Sequence, residues 1–363
     1  MQERRHPSPR RVAALVLLTA VPLLAVPAEG QAGAKKTDVT FMTRNVYIGT
    51  DVTRPLEANS FEDLVRITTD MFREVQATDF RTRAKALARE IDKANPDLVG
   101  LQEIALVRTD TPADGPPGLG GTPALEVLYD YLKILKRKLR RRDANYEVVR
   151  VQEGADAEVP TALGFDGRAT DRDVILAKRG KRVRTRNDFS NRFESAFEGS
   201  LFGGSVQFRI DRGWTATDAR VGRARFRLVN THLEAADALV RRDQARELVV
   251  PGGPATAGKP VVLLGDLNSD DDTVQGDDRL AYQVVTNAGF VNRSTSVPSC
   301  CYQTPTLDDP SEGFDHQVDH VLVDDPRIKL VRSYVTGDDP KQRIGGLWPS
   351  DHGGVVSKLR FRK

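Results

Sequence analysis

Seven side chains suited to work on a phosphate ester fall in five short polar words of this 363-residue chain. The words are Thr-Arg-Asn at 43–45, Leu-Gln-Glu at 101–103, Asn-Thr-His at 230–232, Gly-Asp-Leu-Asn at 265–268 and Ser-Asp-His at 350–352. They supply Asn45, Glu103, His232, Asp266, Asn268, Asp351 and His352. Glu103 closes an apolar run, so its carboxylate projects from a strand end, where it needs a cation or strong donors. An oxygen ligand of this kind suits Mg²⁺, which takes one or two protein carboxylates plus substrate phosphate. Asp266 and Asn268 follow another apolar run two residues apart, on one face if the chain stays extended. The Asp can orient or deprotonate a water, and the Asn amide can donate to a phosphate oxygen without adding charge.

Histidine is scarce, with five in the chain, and two of them fall in these words. An imidazole can take a proton from water or bind a phosphate oxygen once a carboxylate fixes its tautomer. Asp319, in Gln-Val-Asp-His at 317–320, is the expected orienting partner of His352. His320, on the opposite face of that strand, reads as core, and His316 as loop. Each word alone has a plainer explanation: a solvated charge at a strand end, or a hydrogen-bonded structural histidine. Their combination is what points to a site. The run 266–270 imitates the opening of an EF-hand, but position six is Asp271 where Gly is required and position twelve is Asp277 rather than Glu. A strand, not a helix, precedes it, which excludes the EF-hand. The acidic cluster of Asp270, Asp271, Asp272, Asp277 and Asp278 retains the composition of a structural Ca²⁺ site, set against a solvated loop.

The elements that must position these groups alternate along the chain. Strand-like runs fall at 39–46, 97–102, 146–152, 172–177, 223–230, 260–265, 318–323 and 355–361. Ala84, Leu87, Ala88 and Ile91 recur at helical spacing, and Pro96 ends that helix. Further helices are predicted at 124–142, 235–249 and 280–288. Gly and Pro crowd 111–123 into a loop, and 179–217 shows no regular pattern. Interleaved strands and helices predict an α/β layered domain. Runs apolar on both faces, such as Val-Val-Leu-Leu-Gly at 261–265, fit strands buried between layers.

Composition bounds the function. With 39% apolar and 29% charged residues the chain buries a sizeable core and is not of disordered type. Arg4, Arg5, Arg10 and Arg11 precede a fifteen-residue apolar stretch at 12–26, followed by small residues, the layout of a secretory signal. The domains expected are therefore a signal peptide at 1–28, cleaved after Ala28, Ala32 or Ala34, and a catalytic domain at 35–363. Fifteen residues containing Pro22 are short for the roughly 20 that span a bilayer. Removing 1–28 lowers Lys+Arg from 54 to 50 and Asp+Glu from 51 to 50, which leaves no globally basic nucleic-acid footprint. The two cysteines, Cys300 and Cys301, are adjacent. They are too few for a zinc site or a disulfide framework, so they form either a vicinal disulfide stiffening one loop or two separate thiols.

Taken together the words resemble the endonuclease/exonuclease/phosphatase superfamily, the deoxyribonuclease I-like metal-dependent phosphoesterases, and in particular its secreted bacterial members. The resemblance runs from Asn45 to His352. It implies a four-layer α/β sandwich, two mixed β-sheets flanked by helices, with the site where the sheet ends meet. It places Asn45, Glu103 and Asp351 at the metal, Asp266 and Asn268 on water and phosphate, His232 on the scissile phosphate or leaving group, and Asp319 with His352 as an acid–histidine pair. Where some nucleases carry a Tyr or Arg before the central strand, this chain has Thr-Asp-Arg-Asp at 170–173, which makes Arg172 or Asp173 the phosphate-binding candidate. The implied activity is hydrolysis of a phosphodiester, in nucleic acid or a phospholipid head group, by a Mg²⁺-dependent monomer with no stable protein partner and Mn²⁺ as a substitute metal. A nuclease or general phosphodiesterase ranks ahead of a sphingomyelinase-like lipid phosphodiesterase and a phosphomonoesterase. A lipid enzyme needs an exposed aromatic hairpin, for which Phe193, Phe197, Phe202 and Phe208 are the candidates. The competing class is a secreted binding module without catalysis, whose mark would be the loss of an essential group.

Overall fold

The structure, a computed structural model, describes residues 36–117, 120–270, 276–294 and 298–362, without the side chains of 276 and 277. The expected signal peptide, Asp271, Asp272 and the side chain of Asp277 therefore lie outside the described residues.

Alternation along the strands explains the layers. The chain contributes β1 (Lys36–Asn45), β2 (Leu98–Gln102), β3 (Leu106–Asp110), β4 (Glu126–Asp130), β5 (Tyr146–Pro160) and β6 (Asp166–Lys178) to a first sheet. β7 (Val183–Arg192) and a separate hairpin, β8 (Phe197–Leu201) with β9 (Val206–Ile210), follow. β10 (Gly213–Val221), β11 (Ala224–His232), β12 (Val261–Asp266), β13 (Val291–Asn292) and β14 (Asp319–Val323) then join β7 in a second sheet. β15 (Lys329–Thr336) and β16 (Gly354–Arg362) return to the first. The first sheet runs β15-β16-β1-β2-β6-β3-β4 with β5 also on β6, and the second β13-β14-β12-β11-β10-β7. Both are mixed: β1 pairs parallel with β2 but antiparallel with β16, and β12 parallel with β11 but antiparallel with β14.

Val39, Phe41, Leu98 and Ile175 of the first sheet pack against Phe226, Leu228, Val262 and Leu264 of the second. Their neighbours in sequence face outward: Met42, Val99 and Leu176 meet α1 (Phe61–Ala77), α2 (Phe80–Ala94) and α3 (Tyr131–Arg140). On the other side Val261, Leu263 and Leu322 meet α4 (Ala238–Val249) and α5 (Leu280–Asn287). The result is helix, sheet, sheet, helix, the four-layer sandwich expected. Each helix packs an apolar face on a sheet. Ser60, Asp79, Asp130 and Asp237 cap α1 to α4 by accepting from backbone N–H groups of the first turn.

Several elements differ from the sequence reading. Residues 61–77, without an expectation, form α1, whose Leu64, Ile67, Thr68, Phe72 and Val75 are buried on one face. The helix predicted at 124–142 begins as β4 and turns helical only at Tyr131, because 126–129 pair with β3. The irregular stretch 179–217 holds β7 to β10, and β15 went unpredicted. Polar edge and hairpin strands carry little apolar alternation, so periodicity passed over them. Phe193 is buried on the α4 side, Phe202 packs beside α1, and the rings of Phe197 and Phe208 meet across the hairpin at 5.9 Å. Among the described residues no helix is long and apolar enough to cross a membrane.

Candidate active site

Strand register brings the polar words together. In the second sheet Asp266 is flanked by His232 of β11 and Asp319 of β14 as direct cross-strand neighbours. In the first sheet Asn45 lies beside Gln102, the residue before Glu103. The two sheet ends meet where the Asn45 amide donates to Glu103 Oε1 (2.8 Å) and to Asp266 Oδ2 (3.0 Å). A hydrogen-bonded seam lies beneath: Gln102 Nε2 donates to Asn230 Oδ1 at 2.6 Å. Above it opens a cleft of about 640 Å³ lined by Glu103, His232, Asp266, Asn268, Asp351 and His352 among others.

Asp266 occupies the middle. Its Oδ2 lies 3.6 Å from Nε2 of His232 and 3.6 Å from Nε2 of His352, beyond direct hydrogen-bond range. The two imidazoles are held in opposite senses. His352 Nδ1 lies 2.9 Å from Asp319 Oδ2, which also accepts from Ser299 Oγ at 2.8 Å. His232 Nδ1 lies 3.1 Å from a guanidinium nitrogen of Arg212. Arginine only donates, so His232 Nδ1 must accept and its proton sits on Nε2. Asp319 imposes the reverse on His352, whose Nδ1 donates.

The electrostatics follow. Burial and the Arg212 charge press the His232 pKa down to about 3, so it stays neutral. Burial opposes charge on His352 too, but Asp319, Asp266 and Asp351 outweigh it and hold its pKa well above the usual histidine value. Burial, reinforced by Asp351 and Asp171, raises Glu103 to about 7. Asp351, Asp171 and Asp173 are raised as well, first by burial.

Glu103 and Asn268 both adopt left-handed backbone, at φ 57° and 46°, a conformation that costs a non-glycine residue of order 1 kcal/mol. Each is pinned by hydrogen bonds. Glu103 Oε2 accepts from Ile48 N at 2.6 Å, and Asn268 Nδ2 donates to the Leu233 carbonyl at 3.0 Å.

One sequence expectation is corrected. Arg172 faces away from the cleft: its guanidinium donates to the carbonyls of Ile104 (2.7 Å) and Ala105 (3.2 Å) and to Asp130 (2.8 Å). It ties β6 to β3 and the start of α3. Alternation along β6 instead turns Asp171 and Asp173 toward the site, and the cation there is Arg212, 3.0 Å from Asp171 and 3.7 Å from Glu234. Asp171, Arg212 and Glu234 were missed. A period of two could have found Asp171 from Asp173, whereas Arg212 precedes β10 in the stretch that showed no pattern. The remaining expected residues, Asn45, Glu103, His232, Asp266, Asn268, Asp319, Asp351 and His352, are gathered around the cleft. His320 is core, its Nε2 2.9 Å from the Ser269 carbonyl, and His316 pairs with Asp315 in a loop. Cys300 and Cys301 are joined as a vicinal disulfide, their sulfurs 3.5 and 3.7 Å from His352 Nε2.

The donor set fits a hard divalent cation. Glu103, Asp351, Asp171, Asp173 and Asp266 crowd one buried region, and the buried oxygens Asp171 Oδ1 and Asp173 Oδ1 accept no hydrogen bond. Oxygen-rich, negatively charged and free of thiolate, this set suits Mg²⁺ or Mn²⁺. Asp266, Asp319 and His352 also bring ligand atoms within 4.8 Å of one another.

The model of the endonuclease/exonuclease/phosphatase family matches residues 59–352. Solved structures share the fold. A family protein from Bacteroides thetaiotaomicron is 14% identical with a TM-score of 0.54, over 90% of this chain and 96% of that one. One from Bacteroides vulgatus is 17% identical at 0.51, over 89% and 98%. One from Beutenbergia cavernae DSM 12333 is 18% identical at 0.51, over 89% and 72%. No curated protein matches the chain.

Proposed function

Because this chain belongs to the endonuclease/exonuclease/phosphatase family, whose members are phosphoesterases, we propose that it is an exported, Mg²⁺-dependent hydrolase of phosphodiesters. The observation that carries the reading is Asp266 set 3.6 Å from the Nε2 atoms of two histidines, one neutral and one charged, beside Glu103. Glu103 and Asp351, with Asn45 adjoining, would hold the divalent cation, which when bound neutralises charge on the phosphoryl oxygens. Asp266 accepts a proton from the water whose oxygen bonds to phosphorus. His232, neutral, donates its Nε2–H to a phosphoryl oxygen, and Arg212 keeps that tautomer in place. His352, charged through Asp319, gives its Nε2 proton to the leaving oxygen as the phosphorus–oxygen bond breaks. Asn268 offers an uncharged donor next to them.

Bis-p-nitrophenyl phosphate is the test substrate. Mg²⁺-dependent release of p-nitrophenol is expected from the wild type. Glu103→Ala and His352→Ala are each expected to lose at least about 100-fold in kcat. A folded wild type without metal-dependent activity on this diester, DNA, RNA or sphingomyelin would remove the enzyme reading. Export belongs to the proposal as well: expressed with its own N-terminus, the protein is expected in the medium beginning between residues 29 and 35, which N-terminal sequencing reads.

A further inference from the structure

A second cavity, of about 200 Å³, opens from the wall of the cleft. It shares Ile48, Thr50, Val52, Thr53, Glu103 and Arg212 with the cleft and runs back beneath α1. Its floor is one face of the first sheet, where Ala157 lies across from Ala169, Val159 from Gly167, and Val107 from Ala169 on the other side. Its roof is Met71, Phe72 and Val75 of α1. The small floor residues create the space. The helix settles no lower because Phe72 already lies 3.4 Å from where a Cβ on Gly167 would be.

The cavity is polarised along its length. Glu103, Asp171, Arg212 and Glu234 stand at the end shared with the cleft. Farther in, the polar side chains are already engaged: Thr68 Oγ1 donates to the Pro160 carbonyl at 2.6 Å, and Arg168 Nε to Asp156 at 2.9 Å. Nothing in the deep end is left to recognise charge. An apolar cavity of roughly 150 Å³ is enough to admit benzene, so this one takes a six-membered ring or a comparably short alkyl group.

We propose that this cavity is the subsite for the non-leaving ester group of the substrate, and that the enzyme selects phosphodiesters carrying an aryl or short alkyl group there. The inference rests on the phosphodiesterase reading of the cleft. A phosphorus held near Glu103 and Arg212 places one ester arm at the shared mouth, and removing that arm from water favours its entry. The anionic phosphate stays with the charged groups, so one ligand spans both regions.

The test uses full-length mature protein with Mg²⁺ and p-nitrophenyl alkyl phosphates that share a leaving group and differ in the other arm, methyl, butyl or benzyl. kcat/KM is expected to rise roughly 10- to 100-fold from methyl to benzyl. Ala169→Leu, which fills the floor, should erase the rise while leaving the methyl ester unchanged. Ala157→Leu, at a more exposed position, repeats the test should the first variant fold poorly, with Tm as the control. A flat series in the wild type, or an equal loss on all three esters in both variants, overturns the subsite while leaving the phosphodiesterase intact. Absence of all turnover sinks the phosphodiesterase reading instead. Calorimetric binding of benzylphosphonate against methylphosphonate then decides the subsite: tighter benzyl binding lost in Ala169→Leu supports it, and equal binding overturns it.

Discussion

At the scale of single residues, the cleft sets two histidines of one type to two tasks through their partners. Burial and then Arg212 depress the basicity of His232, which Arg212 makes an acceptor at Nδ1, while Asp319 makes His352 a donor at Nδ1 and raises its basicity against burial. The carboxylates around them carry a pH signature. Glu103 has its pKa raised from 4.5 to about 7, chiefly by burial. The folded state thus binds its proton more tightly than the unfolded chain, and the stability this contributes, present below about 4.5, is lost as pH rises through 7. His232 works in the other direction, with a folded pKa of about 3 against 6.5, so its contribution is present above 6.5 and lost as pH falls toward 3. Total Tm mixes the two, but the increment produced by Mg²⁺ separates them. A cation competes with protons for the carboxylates, so the Mg²⁺-induced rise in Tm is expected to be larger at pH 7.5 than at pH 5. Scanning calorimetry with and without metal measures it, and a rise that is equal or larger at pH 5 would count against this cluster as the metal site.

At the scale of elements, the segment bearing Asp351 and His352 is held both by its own Ser350, whose Oγ donates to the Asn45 carbonyl at 2.9 Å, and by arginines from other elements. Arg83 of α2 is fully buried and donates to the carbonyls of Thr78, Val46, Tyr47 and Pro349 at 2.7 to 3.0 Å. It thereby joins the end of β1 to the loop before His352. Arg44 of β1, paired with Glu90 at 3.1 Å, donates to the carbonyls of Asn45 and His352. Replacing Arg83 by Met leaves those carbonyls without their donor, a loss of about 3 kcal/mol. The variant is expected to unfold at lower urea and, although Arg83 makes no hydrogen bond to the side chains lining the cleft, to lose kcat. Urea denaturation and steady-state kinetics check the pair, and full kcat in a destabilised Arg83→Met would show that the clasp does not position the site. Alternation and apolar runs in the residues marked the strands that carry the words. The spacing of Leu64, Ile67, Phe72 and Val75 also marks α1, an amphipathic helix the sequence reading did not use, while the hairpin carries too little apolar alternation to stand out.

At the scale of the whole molecule, the site exists because two sheets approach closely at their ends. Gly100 marks that approach: a Cβ there would run into Leu264 Cδ1 and Asn230 Oδ1 of the facing sheet. Gly100→Ala is expected to cost about 1–3 kcal/mol by overpacking and to disturb the Gln102–Asn230 seam under the cleft. Chemical denaturation reads the first effect and kcat the second, and an unchanged midpoint would show that the interface has slack. The sequence by itself determined which polar groups gather at the cleft, that they stand on strand ends, and that strands and helices form layers, because these follow from side-chain type and local periodicity. Only the tertiary structure decided that Arg212, Asp171 and Asp173 join the site while Arg172 leaves it. It also gave the two histidines opposite hydrogen-bond roles at Nδ1 and opened an apolar cavity beside the cleft. Periodicity assigns a residue to one face of its strand. What that face meets, and hence its charge state and its role, is determined by residues on other elements: Arg212 lies 20 positions from His232, Asp319 33 from His352 and Asn45 221 from Asp266.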